Sequence, residues 1–146
     1  MKTLCLVAAT AIALATSFST QARDTTHFLP IEKALGAAQA SGKIDGGVKF
    51  FFADQAHPGV AKDFGTFTTN KKTNAFGKSD ATACDWAMQS ALIELFNRAV
   101  KEGADAVVGI ESYYKKNVYS DAEKYECHAG AMVAGVALRG KVVKLK

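Results

Sequence analysis

The chain has 146 residues, 49% hydrophobic and 22% charged, with 12 Gly, 2 Pro and 3 Cys. That composition fits one ordinary globular domain and excludes a collagen-like repeat, a long disordered chain, a coiled coil and a multi-domain enzyme. The formal charge of +4 is far below the density of a dedicated nucleic-acid binder, so no nucleic-acid partner is expected.

The N-terminus reads as an export signal. Lys2 supplies the positive start, and Leu4 to Ala15 is an apolar run of signal length. A spanning helix needs roughly 20 apolar residues, so the run is too short to remain as one. Thr20-Gln21-Ala22 places cleavage after Ala22. An uncleaved N-terminal anchor is the alternative. Residues 1–22 are thus expected to leave as a signal peptide, and 23–146 to form a single α+β domain in the periplasm or outside the cell. The mature chain then carries no transmembrane segment.

Cys5 leaves with the signal, and Cys84 and Cys127 remain. Two cysteines in an exported chain are most simply one disulfide, with two separate buried thiols as the alternative. Closing a loop of that span stabilises by about 4 kcal/mol in the chain-entropy picture.

Arg23 to Pro30 reads as an extended lead, and Ile31 to Ala40 as a short helix ending at Ser41-Gly42. Asp45-Gly46-Gly47 is a turn. Val48 to Ala53, short and Phe-rich, reads as a buried strand. Gln55 to Gly59 is a loop, Phe64 to Thr69 a strand, and Asn70 to Ser79 a polar loop.

The longest element follows. Ser79 or Asp80 can cap a helix N-terminus. Cys84, Met88, Ala91, Leu92, Leu95, Phe96, Ala99 and Val100 recur at helical intervals on one face. Gly103 supplies a left-handed stop, so the helix is predicted over Asp80 to Glu102.

Ala106 to Tyr114 is β-branched and aromatic and predicts a strand. Lys115 to Lys124 is the connecting loop, and Tyr125 to Leu138 a longer last strand. Along that last strand Cys127, Ala129, Ala131, Val133, Gly135 and Ala137 alternate onto one face. Nearly all are small, which lets the long helix lie close and sets Cys84 opposite Cys127. The predicted architecture is an antiparallel sheet of about four strands with one long helix on one face. The disulfide is expected between the helix start and the last strand.

Gly103-Ala104-Asp105-Ala106-Val107-Val108-Gly109-Ile110 resembles the G-A-[ND]-A-V signature of YbjQ-type domains. Its order, followed by Cys127-His128-Ala129-Gly130-Ala131, is similar to the signalling domain of the outer-membrane sensor lipoprotein of the Rcs phosphorelay. That resemblance covers about Thr82 to Leu138 and implies a disulfide from the start of the long helix to the last strand. The chain lacks that sensor's lipobox and second cysteine pair. The whole chain also resembles a group of short exported proteobacterial proteins that often carry the label "excinuclease ATPase subunit". Shared marks are Asn70-Lys71-Lys72-Thr73-Asn74-Ala75-Phe76, Ser112-Tyr113-Tyr114-Lys115-Lys116-Asn117 and Tyr125-Glu126-Cys127-His128-Ala129-Gly130.

The ATPase label fails on the residues. Gly135-Val136-Ala137-Leu138-Arg139-Gly140-Lys141-Val142 approximates a P-loop, but Val142 has no hydroxyl for Mg²⁺ and Gly135 lies inside a predicted strand. His27, His57 and His128 have no zinc spacing. His128 beside Cys127 would make a metal pair only with a free thiol; the resemblance to YbjQ-type domains, often called heavy-metal-binding, keeps that alternative in view. Asp54 with His57 reads as a solvated loop pair, and no G-x-S-x-G elbow is present. No catalytic residue and no cofactor are therefore assigned.

One surface pattern remains. Lys71-Lys72 is followed by Phe76 and Lys78, and Tyr113-Tyr114 by Lys115-Lys116. If the two segments meet at one end of the sheet, they form a basic-aromatic patch for an envelope protein or a polyanion. The plain alternative is solubilising lysines that protect strand edges. The expected function is a non-enzymatic, exported binding or envelope-associated protein, with a small metal-binding protein as the alternative.

Overall fold

The computed structural model describes residues 22–146, so the predicted signal segment lies outside the described residues except for Ala22. In chain order the elements are β1 (Thr25–Pro30), α1 (Ile31–Ala40), β2 (Lys49–Phe52), β3 (Val60–Asn74), α2 (Asp80–Glu102), β4 (Ala106–Tyr114), β5 (Asn117–Tyr119), β6 (Lys124–Ala129) and β7 (Val133–Leu145).

Local chemistry fixes α2. Ser79 Oγ accepts from the Thr82 N–H at 3.2 Å, covering one of the orphan donors of the first turn. At the other end Gly103 sits at φ +73°, a conformation that costs a residue without Cβ nothing. Between the caps, Cys84, Met88, Ala91, Leu92 and Leu95 are almost wholly buried. They pack on Ala134, Val136, Leu138 and Val142 of β7 and Cys127 and Ala129 of β6 in one continuous core. The Cys84–Cys127 disulfide, Cα–Cα 5.9 Å, joins α2 to β6 inside that core.

β7 organises the sheet. Along one edge it pairs antiparallel with β3, from Val60↔Leu145 to Asn74↔Val133. Its other edge is shared: β6 pairs with its beginning, at His128↔Gly135 and Ala129↔Ala134, and β4 with the remainder, from Ser112↔Leu138 to Ala106↔Val143. β1 adds to β6 antiparallel, β5 folds back on β4, and β2 lies parallel to β4. The seven strands curl into a half-barrel.

This corrects the expected four-stranded antiparallel sheet with one helix. The sheet has seven strands, is mixed, and carries two helices. Three physical causes account for the difference. The predicted last strand, Tyr125 to Leu138, is two strands joined at Ala131-Met132, and the Gly130 N–H donates to the Val133 carbonyl at 2.8 Å. The disulfide therefore ends on β6, not on the last strand. The turn also shifts the alternation: Ala134 and Val136 face α2 beside Ala129 and Cys127, while Val133 is partly exposed and Gly135 lies under Lys72 and Tyr114. Second, the extended lead pairs with β6, and β3 runs through the first half of the predicted polar loop. Third, β2 reaches β4 through a long crossover that contains β3 and α2, so the pair can be parallel.

A bulge in β4 between Val108 and Glu111 centres on Gly109, at φ +60°. It lets Val107 and Ile110 both enter the α2 core and turns Glu111 to the opposite face. On that face Ala106, Val108 and Val143 form a small second cluster.

Candidate functional site

The face of the sheet away from α2 is open, and its polar side chains gather where β6 turns into β7. His128 projects there. Its Nδ1 is 3.1 Å from Asp24 Oδ1, and its Nε2 is 2.5 Å from Glu126 Oε1. Glu126 and His128 are two apart on β6, hence on one side of the strand. The Tyr114 ring stacks on the imidazole with centroids 3.7 Å apart and planes 10° from parallel. Lys115 Nζ lies 5.4 Å above the Tyr114 ring. Where β4 leaves β7, the Glu126 N–H donates to Ser112 Oγ at 3.0 Å, bridging β6 to β4.

Beside this stack is a groove of about 370 Å³, lined by Asp24, Lys72, Tyr114, His128, Met132 and Gly135 among others. Gly135 forms its floor: a Cβ there would lie 3.7 Å from both Lys72 Cγ and Tyr114 Cε2. Farther along the face Arg139 pairs with Glu111, Nε to Oε1 at 3.0 Å, and covers the Tyr113 ring at 4.1 Å.

The groove end is moored by a second charge cluster. Arg23 donates to Asp80 at 2.8 and 3.0 Å and to the Gly130 carbonyl at 2.9 Å. Any side chain on residue 130 would meet the Arg23 carbonyl at 2.9 Å, so only glycine fits. His27 Nε2 reaches Asp80 at 2.8 Å. The hydrogen bonds from Arg23, then that from His27, hold the Asp80 carboxyl down at about 2. Under α2 a buried pair, Tyr125 and Asp85, is met by an exposed lysine. The Tyr125 hydroxyl donates to Asp85 at 2.9 Å, and Lys33 reaches the same carboxylate at 2.7 Å. Burial, then the Asp85 hydrogen bond, push the Tyr125 phenol upward, so it remains a donor.

Lys72 and Tyr114 line the groove, Lys115 lies over the Tyr114 ring, and Lys116 follows in the β4–β5 turn. Lys71 does not join them. Adjacent strand residues face opposite ways, and Lys71 turns to α2, where it pairs with Glu94. Tyr113 lies beneath Arg139 rather than at the groove. Cys127 is bonded to Cys84 and offers no thiolate, and both ring nitrogens of His128 are engaged by carboxylates. Among the described residues no three His, Cys, Asp or Glu side chains converge as a metal site. His57 Nδ1 bonds the Pro58 carbonyl at 2.7 Å, not Asp54. Asp24, Glu126 and Met132 were not singled out in the sequence; the Glu126-x-His128 alternation was the one available clue.

No helix among the described residues is long and apolar enough to cross a membrane. No protein-family model, curated protein or solved structure matches the chain.

Proposed function

We propose that the protein is an exported, non-enzymatic binding protein of the envelope that holds a polyanion on the open face of its sheet. Lys72, Lys115 and Lys116 supply the cationic contacts and Tyr114 a rigid ring between them. The carrying observation is the contrast between neighbours. Lys71 is neutralised by Glu94, whereas Lys72 on the groove wall, Lys115 over the Tyr114 ring and Lys116 beside it in the chain make no ion pair among the described residues. Ammonium groups left without a carboxylate, next to a fixed aromatic surface, attract anionic ligands. Export is supported by the buried disulfide, which belongs to an oxidising compartment. The resemblance to short exported proteobacterial proteins fits the same reading.

Binding of the mature protein to an anionic polysaccharide and to anionic lipid vesicles tests it. The parent is expected to bind at low salt and to weaken as salt rises. Changing Lys72, Lys115 and Lys116 together to Gln is expected to abolish binding, and Lys71→Gln to leave it unchanged. A parent that binds nothing anionic at low salt, or a triple variant that binds as well as the parent, overturns the reading.

A further inference from the structure

The same end of the molecule carries apolar side chains that the packing does not explain. Phe76 is 68% exposed, Met132 60% and Val133 46%, although large apolar residues ordinarily turn inward. They are distant in sequence and neighbours in space. The Ala75 N–H donates to the Met132 carbonyl at 2.9 Å, and Asn74 pairs with Val133. Phe76 therefore stands at the outgoing end of β3 beside the tip of the β6–β7 hairpin. Met132 and Val133 also line the groove that holds Lys72 and Tyr114, so the apolar tip and the cationic rim are one continuous surface.

Charge at this end favours an anionic partner. Lys72, Lys78, Lys115 and Lys116 make no ion pair among the described residues, and Lys78 Nζ reaches back to the Asn74 carbonyl at 3.2 Å. Asp80 is taken up by Arg23 and His27, and Glu126 by His128. Asp24, which faces His128, is the one carboxylate near the groove left half-exposed.

A polysaccharide would use the lysines and the Tyr114 ring but would leave Phe76 and Met132 in water. A bilayer would use all of them: apolar side chains enter the headgroup–acyl boundary while ammonium groups meet lipid phosphates. We propose that this end of the protein docks on an anionic lipid surface, with Phe76 and Met132 inserted into the interface and Lys72, Lys78, Lys115 and Lys116 on the headgroups. The inference rests on the polyanion reading and narrows it to one source of anionic groups.

The test uses vesicles of neutral phosphatidylcholine, vesicles with added phosphatidylglycerol, and a soluble anionic polysaccharide. The parent is expected to bind phosphatidylglycerol vesicles and not neutral ones. The double variant Phe76→Ser/Met132→Ser is expected to lose about tenfold or more in vesicle affinity, as removal of inserted apolar surface demands, and to keep the parent's affinity for polysaccharide. Loss of each lysine is expected to weaken vesicle binding about fivefold. As an independent readout, Phe76→Trp in a Trp86→Phe background should show blue-shifted emission on phosphatidylglycerol vesicles and quenching by brominated acyl chains. A double variant that binds vesicles as the parent does, an unshifted Trp at position 76, or a parent that binds polysaccharide but not vesicles overturns the insertion and leaves the polyanion reading standing. A parent that binds neither ligand removes both.

Discussion

On the α2 side of the sheet, Met88, Leu92, Leu95 and Val136 interlock out of water, and a disulfide crosses between the layers. On the open side, β6 presents His128, and β3 presents Lys72 opposite Gly135 of β7, in a setting of carboxylates, a stacked ring and ammonium groups. The first face is held by contacts that disappear only when the chain unfolds. The second is held by partly exposed charge pairs, each worth little in water, so its side chains are free to exchange one partner for another. Apolar packing and polar side chains are thus divided between the two sides of one sheet.

The largest test of that division is the cross-link. Changing both Cys84 and Cys127 to Ala is expected to lower unfolding free energy by about 4 kcal/mol, read from denaturant midpoints of the variant against the oxidised parent. A loss well under 1 kcal/mol would mean that the α2 face does not carry the fold. Next is the buried Tyr125–Asp85 pair. Tyr125→Phe leaves one Asp85 oxygen without its donor and should cost about 1–3 kcal/mol in the same measurement, although Lys33 still holds the other oxygen.

A smaller effect depends on pH. Asp80 is held from its ordinary 3.8 down to about 2 in the folded protein, chiefly by Arg23 and then by His27. A carboxyl depressed by folding stabilises above its unfolded value and loses that contribution as pH falls through its folded one. Asp80→Asn should therefore melt below the parent at neutral pH, with the gap closing as pH drops from about 4 towards 2. A gap that persists at the bottom of that window would assign the loss to something other than the charge on Asp80. The smallest effect belongs to the open face: Lys72, Lys115 and Lys116 changed to Gln should alter stability by no more than about 0.5 kcal/mol. A larger loss, seen in thermal melts, would show that this face supports the fold as well.

How far the sequence could be read follows from where each determinant lies. The bounds of α2 were legible because its caps, Ser79 and Gly103, and its apolar stripe are all local. The last stretch of β3 was not. Asn70 to Asn74 is polar on both sides, since Lys71 turns to α2 where it finds Glu94, and only pairing with β7 makes it a strand. The β6–β7 turn was missed because Ala131-Met132 lacks the Asn-Gly or Asp-Gly signal of a tight hairpin. The parallel β2–β4 pair has no sequence mark at all. At the candidate site, the lysine–aromatic spacing pointed to the region. Strand alternation then sent Lys71 away from Lys72, and Asp24 reached His128 from the other end of the chain.

The pairing of β1 with β6 has a consequence for how the chain must be made. Thr25 to Pro30 meets Ala129 to Lys124, so the first strand to emerge during synthesis has no partner until nearly the whole chain has followed it. Contacts of that separation close late, because the intervening loop entropy must be met before they form. The sheet therefore cannot be completed from its N-terminal end. The first strand to be made is among the last to dock.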